Sequence, residues 1–241
     1  MKSISRKISF LSDGLLLKGV LHLPAKKHPP VVIGSHGLLS DSGSPKQIEL
    51  ARQCNAFGIA FFRFDHRGCD QSEGAFQEVI SLDARCNDLI SAIKTVQAED
   101  DLGNKLGLFG SSMGGAVCLS VAKAVKADAI VTFASPVRID SIVKHSELPH
   151  DTTISSPLFD QIYLQFDIAN RLSDIHHILI FHGDSDEVVH PSNAHEIYSN
   201  AGEPKKLIIQ KGGDHRMTDK KQQDDFIHET ASWFKKWLEK R

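Results

Sequence analysis

The chain has 241 residues, 41% hydrophobic and 24% charged, the proportions of a soluble globular protein. Lys plus Arg number 28 and Asp plus Glu 30, a formal net charge of -2. With no long basic run, nothing electrostatic points to nucleic acid, and no apolar stretch approaches the ~20 residues of a membrane span.

The opening MKSISRKISFLSDG is charged and lacks the apolar core of a secretory signal. SISRKISF and GLLLKGVLHL read as two strands around Asp13-Gly14, a strong hairpin signal. PAKKHPP (24–30) is a connector, and VVIGSH (31–36) is a β-branched run suited to a strand buried on both faces. SPKQIELARQCNAFG has apolar residues at helical spacing, with Gly58 as its stop. IAFFRFD (59–65) predicts the next buried strand, and LDARCNDLISAIKTVQAE (82–99) an amphipathic helix. KLGLFG (105–110) is a strand, MGGAVCLSVAKAVKA (113–127) a helix and DAIVTFAS (128–135) a strand.

From Pro136 to about Ser173 the periodicity is lost, with one aromatic cluster at Phe159, Tyr163 and Phe166. The alternation then resumes: strand HHILIFHG (176–183), helix PSNAHEIYSNA (191–201), strand KKLIIQKG (205–212) and a final amphipathic helix, DDFIHETASWFKKWLEK (224–240). Lys235, Lys236, Lys240 and Arg241 fit a solvated last turn, where cations suit the helix dipole. Strands alternating with helices imply a mostly parallel sheet of about eight strands covered on both faces, with an antiparallel start. One α/β domain over 1–241 is expected, with 136–173 as an insertion within it.

In such sheets ligands collect at the carboxyl ends of the strands. Strand 105–110 ends on Gly110-Ser111-Ser112-Met113-Gly114, a G-x-S-x-G at a strand-to-helix turn. This pattern lifts its central serine on a turn so tight that bulky neighbours do not fit. A serine hydroxyl needs a base within hydrogen-bond reach and a third group to orient that base. Strand 176–183 leads into Asp184-Ser185-Asp186, and strand 205–212 into Gly213-Asp214-His215. The order Ser112, Asp186, His215 is the one expected where such a turn sits in a sheet of this architecture. Among thirteen histidines, only His215 follows the last strand in a Gly-rich loop. His182 lies inside a strand and reads as a packed, hydrogen-bonded side chain. Asp184 competes with Asp186 for the acid position, but Asp at a turn also serves to bond the backbone. The backbone N–H groups of Met113 and Leu38 are the expected donors to an oxyanion. His36 is expected to brace the loop that carries Leu38.

Cys54, Cys69, Cys86 and Cys118 form neither a CxxC pair nor a zinc-ligand spacing, so free thiols in a reducing cytoplasm are expected. P-loop and H-E-x-x-H patterns are absent, and no metal or cofactor is called for.

With these motifs in place, the chain resembles the α/β-hydrolase superfamily over nearly its whole length. It looks closest to small serine esterases with a short lid, the feruloyl/cinnamoyl esterase group among them. The resemblance rests on SHGL at 35–38, Asp65-His66-Arg67-Gly68 continuing to Ser72 and Gly74, GSSMGG at 110–115, and HGDSDEVV at 182–189 followed by GGDH at 212–215. It implies an α/β-hydrolase fold in which a Gly-x-x-Asp pattern supports Asp186 over Asp184. It also implies that Asp65–Gly74 is a structural loop with Arg67 as an internal ion-pair partner. One departure is Cys69-Asp70, where relatives often carry a small or polar residue and then Gly. Ser112 sets the chain apart from dienelactone-type hydrolases, which use Cys at that position, and from haloalkane dehalogenases, which use Asp. Residues 136–173 would be a lid, with Phe159, Tyr163 and Phe166 lining an apolar pocket or packing the lid on the body. The expected activity is cofactor-free cleavage of a small-molecule carboxylic ester through an acyl-enzyme, by a monomer or homodimer. Thioesterase, peptidase-like and acyltransferase activities share the same residues, and a non-catalytic ligand-binding protein is the alternative of another class.

Overall fold

A computed structural model describes residues 4–76, 81–139 and 165–239. The hairpin forms as the sequence predicts. β1 (Ile4–Ser12) pairs antiparallel with β2 (Leu15–Leu23), Ser12 opposite Leu15. Asp13 and Gly14, with φ of 48° and 83°, make the two-residue turn. Positive φ at both positions matches the twist of the flanking strands, which is why Asp-Gly serves here.

The remaining strands are β3 (Val31–Ser35), β4 (Ala60–Phe64), β5 (Leu106–Ser111), β6 (Ala129–Phe133), β7 (Ile178–Gly183) and β8 (Lys205–Gln210). They form one eight-stranded sheet in the order β1-β2-β4-β3-β5-β6-β7-β8. β2 pairs antiparallel with β4, and all pairs from β4-β3 onward are parallel. Every residue of β3, β6 and β7 is buried, as apolar runs covered on both faces should be.

α1 (Pro45–Ala56) and α5 (Lys220–Leu238) cover one face, burying Leu50, Cys54, Phe226 and Phe234 against it. α2 (Leu82–Gln97), α3 (Met113–Val125) and α4 (Ser192–Asn200) cover the other, burying Leu89, Ile93, Val117, Val121 and Ile197. Phe226 of α5 packs on Phe109, Phe133 and Phe181 of three adjacent strands, with ring centroids 5.8, 5.8 and 4.9 Å away. Burying such a ring contributes roughly 2–3 kcal/mol. It also pins the helix that follows the His215 loop to the middle of the sheet.

The last helix begins at Lys220, not at residue 224 as the periodicity predicts. Asp219 caps it by accepting a hydrogen bond from Gln222 N at 2.8 Å. The first turn, Lys-Lys-Gln-Gln, carries no apolar stripe, so the cap and not hydrophobic spacing marks its start.

Of the segment 136–173, residues 140–164 lie outside the described residues, and Phe159 and Tyr163 with them. Its two described ends meet. Ile139 N donates to Phe166 O at 3.2 Å, and Ile168 N to Val137 O at 3.1 Å. Arg138 bonds Asp167 at 3.0 Å and forks onto Glu196 of α4 at 2.7 and 2.6 Å. A short 3-10 helix, Ala169–Asp174, which the sequence does not reveal, leads back to β7.

Candidate active site

The small residues of GSSMGGA answer to space. Ser112 sits between β5 and α3 with φ 52° and ψ -125°, a conformation that costs a non-glycine residue on the order of 1–3 kcal/mol. Ser112 N donates to Phe133 O on β6 at 2.8 Å, and Gly115 N to Ser112 O at 2.8 Å. A Cβ on Gly110 would lie 2.3 Å from Gly114 O. One on Gly114 would lie 2.1 Å from Ser35 O, and one on Gly115 2.6 Å from Ser135 Cβ. Strand, helix and the end of β3 thus touch backbone to backbone, and the serine is held up by that contact.

The same logic joins the loops that carry Asp186 and His215. A Cβ on Gly183 would lie 2.0 Å from Gly213 O. Ser185 N donates to Gly213 O at 3.0 Å, and His215 N to Glu187 Oε2 at 3.1 Å. Asp184 accepts from Gly212 N at 2.6 Å, so it ties the loop after β7 to the loop after β8. Asp186 is the carboxylate that turns toward His215.

Ser112, His215 and Asp186 come together. His215 Nε2 lies 3.2 Å from Ser112 Oγ, and His215 Nδ1 lies 3.0 and 2.9 Å from the two Asp186 oxygens. The carboxylate assigns the proton to Nδ1 and leaves the Nε2 lone pair facing the hydroxyl. The Asp186 side chain is fully buried, and His215 keeps 16% of its side chain exposed. Oδ1 of Asp186 also accepts from Val188 N at 2.9 Å and Val189 N at 2.8 Å. His182 lies behind it, with Nε2 3.2 Å from Asp186 Oδ2 and 2.8 Å from Val189 O. Burial pushes the Asp186 carboxyl up, but hydrogen bonds from His182, His215 and the loop backbone outweigh it and hold the pKa below the usual carboxylate range. Asp186 is therefore an anion able to stabilise an imidazolium.

The loop after β3 passes directly against the serine: a Cβ on Gly37 would lie 3.4 Å from Ser112 Cβ. His36 braces this loop as the sequence predicts. Its Nε2 accepts from His66 N at 3.0 Å, so Nδ1 carries the proton and donates to Gly37 O at 2.7 Å. Leu38 is nearly buried, and Met113 N–H lies in the first turn of α3, where backbone donors have no partner within the helix.

Below the loop runs a buried ionic chain. Arg67 donates to Asp88 Oδ1 through Nε at 2.9 Å and Nη2 at 2.7 Å, and it reaches Asp13 of the hairpin turn at 2.7 Å. His66 Nδ1 lies 3.3 Å from Asp88 Oδ2, and its Nε2 2.9 Å from Ser35 Oγ. Burial pushes the His66 pKa down to about 4. Arg67 is thus an internal ion-pair partner of Asp88 and Asp13. Asp70 takes φ 41°, the left-handed conformation that favours glycine and that Asp tolerates better than most residues.

Sequence reasoning missed two residues that shape the site. Lys46 of α1 donates to Arg216 O at 2.5 Å and sits 5.0 Å over the Phe133 ring, tying α1 to the His215 loop. Arg85 of α2 donates to the carbonyls of His36, Gly37 and Leu38. A basic residue on an amphipathic helix reads as solvated, and neither carries a signal against that reading.

Phe166 is half-buried and lines a cavity of about 210 Å³ with Ser81, Leu82, Asp83, Gln165 and Arg171 among its walls. Among the described residues no group of three His, Cys, Asp or Glu side chains is placed to hold a metal ion. No described helix is long and apolar enough to cross a membrane.

Known proteins resemble the chain at two levels. Solved structures cover almost all of it. Est1E of Butyrivibrio proteoclasticus, in a structure with ferulic acid bound, aligns with a TM-score of 0.81 at 17% identity over 97% of this chain and 100% of its own. The Pyrococcus furiosus esterase Pf2001 aligns with a TM-score of 0.83 at 18% identity, over 98% and 92%. XC6422 of Xanthomonas campestris, described as a serine hydrolase without lid, aligns with a TM-score of 0.72 at 19% identity, over 100% and 98%. At these identities the likeness establishes the fold, an α/β hydrolase. In sequence, the uncharacterized protein YfhR of Escherichia coli K12 is 34% identical over 163 residues, 64% of this chain and 52% of that protein. The chain therefore spans about half the length of the curated relatives it matches. The family model for serine aminopeptidase S33 matches residues 26–175, which include Ser112 and the loop at Leu38 and stop short of Asp186 and His215. That match covers more than half of the chain, which therefore belongs to the serine aminopeptidase S33 family of α/β hydrolases.

Proposed function

We propose that the chain is a serine hydrolase of small carboxylic esters that works through an acyl-enzyme. The observation that carries this is the 3.2 Å approach of His215 Nε2 to Ser112 Oγ with Asp186 bonded to the far side of the ring. Ser112 Oγ attacks the ester carbonyl carbon as its proton passes to His215 Nε2. Asp186 holds the ring and stabilises the imidazolium. The carbonyl oxygen, now an oxyanion, is met by the N–H groups of Leu38 and Met113. The C–O bond to the alcohol then breaks, and the alkoxide leaves with the proton from His215. Water attacks the acyl-enzyme along the reverse path, giving the free acid and regenerating the serine. No step requires a cofactor.

Residues 136–173 serve as a lid in this reading, and Phe159, Tyr163 and Phe166 as its substrate-facing aromatics. The paired ends at Val137–Ile139 and Phe166–Ile168 support an insertion that leaves and re-enters the body at one place. Ester substrates are favoured by the esterases among the structural neighbours. The family description favours a second reading, hydrolysis of an aminoacyl amide by the same residues. Four buried free thiols support a cytoplasmic location.

The test is Ser112→Ala. It should abolish fluorophosphonate labelling and lower kcat on p-nitrophenyl butyrate by at least about 10⁴-fold, with the melting temperature kept. Labelling retained at another residue overturns the assignment. Rates on matched p-nitrophenyl esters, thioesters and aminoacyl amides separate esterase from peptidase.

A further inference from the structure

Arg85 is 2% exposed on α2, a helix whose other buried side chains are mostly apolar. Its Nη1 donates to His36 O and Gly37 O, both at 3.3 Å, and its Nη2 to Leu38 O at 3.1 Å and Cys69 Sγ at 3.6 Å. No carboxylate among the described residues lies within ion-pairing distance. Asp88, the neighbouring acid on the same helix, is committed to Arg67 and His66. A buried cation without a counter-ion carries a large desolvation penalty, and a hydrophobic residue of similar volume would avoid it. What the cation has instead is three consecutive carbonyls of one loop.

Those carbonyls belong to the loop that passes against Ser112 at Gly37. In a trans peptide the C=O and N–H point in opposite directions. Gathering the oxygens of residues 36–38 onto one fork turns the N–H groups of residues 37–39 the other way. Gly37 O and Leu38 N–H are the two ends of a single peptide unit. That oxygen receives both the Nδ1 proton of His36 at 2.7 Å and the Arg85 guanidinium. Hydrogen bonds at the carbonyl end polarise the peptide and make its N–H a stronger donor.

We propose that Arg85 is a positioning residue for the oxyanion site, aiming and polarising the Gly37–Leu38 peptide from behind. The inference rests on the reading of Leu38 N–H as an oxyanion donor. Through that peptide its charge strengthens a donor aimed at the negative charge that develops in the transition state, and it does not touch the ground-state ester. Losing it should therefore lower kcat and leave KM almost alone.

The experiment compares wild type, Arg85→Met and Arg85→Lys, each checked for folding by circular dichroism. Two quantities are read: kcat and KM on p-nitrophenyl butyrate, and Ki for the trifluoromethyl ketone of the same acyl group. That ketone adds Ser112 and presents a tetrahedral oxyanion. Arg85→Met should lose roughly 10–100-fold in kcat, somewhat less than removal of a direct donor. KM should stay within about threefold and Ki should rise in proportion to the loss of kcat/KM. Arg85→Lys keeps the charge but not the fork and should fall between. If the Met variant does not fold, the Lys variant decides. A folded variant with wild-type kcat and Ki overturns the proposal, as does a loss of kcat with Ki unchanged, which would place the defect in a step other than formation of the oxyanion. If wild type and Ser112→Ala bind the ketone equally, the oxyanion reading itself is wrong, and Arg85's part in it falls too.

Discussion

Replacing Asp186 by Asn changes one atom, and the structure dictates where that atom goes. Oδ1 accepts from Val188 N and Val189 N at 2.9 and 2.8 Å. An amide NH2 there would face two donors, so the Asn oxygen must occupy that place. The NH2 then takes the place of Oδ2, 2.9 Å from His215 Nδ1, with the Asn oxygen 3.0 Å from the same nitrogen, and His182 Nε2 keeps only its bond to Val189 O. Its donation to His215 Nδ1 at the shorter distance favours the tautomer with the ring proton on Nε2. The nitrogen facing Ser112 becomes a donor and no longer accepts the hydroxyl proton. In another serine hydrolase, that wrong-tautomer effect lowers kcat by about 10⁴-fold, about 5 kcal/mol of barrier. The same loss is expected here, measured as kcat on p-nitrophenyl butyrate at neutral pH with folding verified by thermal melting. Asp184→Asn is the control: Asp184 bonds Gly212 N and Ser185 Oγ and makes no bond to His215, so kcat should stay within about tenfold. If Asp186→Asn also retains kcat within tenfold, the ring is not oriented by Asp186 and the tautomer argument fails.

Two further outcomes are expected. Gly183→Ala places a methyl where Gly213 O now lies 2.0 Å away, so the loops carrying Asp186 and His215 must part. It should cost about 1–3 kcal/mol of stability in denaturant titration and a larger share of activity, and a fully active variant would contradict the close packing. Stability should also fall on acidification from pH 6.5 to 4. The folded pKa of His66 lies at about 4 because of burial, and that of His36 lies well below 6.5 because of burial and the neighbouring His66 and Arg85. The half-buried His22, lowered to about 4 by burial and Arg63, acts in the same direction. In this interval the unfolded chain takes up protons that the folded chain does not, so folding is opposed as pH drops. His66 alone accounts for about 3 kcal/mol by pH 4. Below that, Asp88 and Asp186 add a second loss. In both, burial raises the pKa but hydrogen bonds outweigh it, so their stabilisation disappears only as they protonate. Equal urea midpoints at pH 6.5 and 4.5 would refute this account.

Much of the site was legible because its chemistry lies where local patterns change. Glycine crowding between an apolar run and a helix marked Ser112, and Gly-rich ends of two strands marked Asp186 and His215. Asp184 and Asp186 were harder to separate, since both follow the same strand in similar company. The separation depends on which carboxylate meets the loop after β8, and Asp184 meets its backbone while Asp186 meets its imidazole. His182 was recognised as a packed histidine, but nothing in HHILIFHG indicates that its partner is Asp186. Arg85 and Lys46 were invisible because their burial is created by loops distant in sequence.

By itself the sequence determined the periods and the punctuation: which runs are strands, which are helices, where Asp13-Gly14 turns, and where a serine must stand on a tight bend. These follow from side-chain spacing and backbone sterics within a few residues. Only the tertiary structure decided that Ser112 and His215, 103 positions apart, come within hydrogen-bond distance, and that Arg85 lies under the loop at Gly37. Those meetings depend on the strand order β5-β6-β7-β8 and on helices pressed against both faces of the sheet. Such an order is selected by the burial of the whole core, and no local stretch of the chain encodes it.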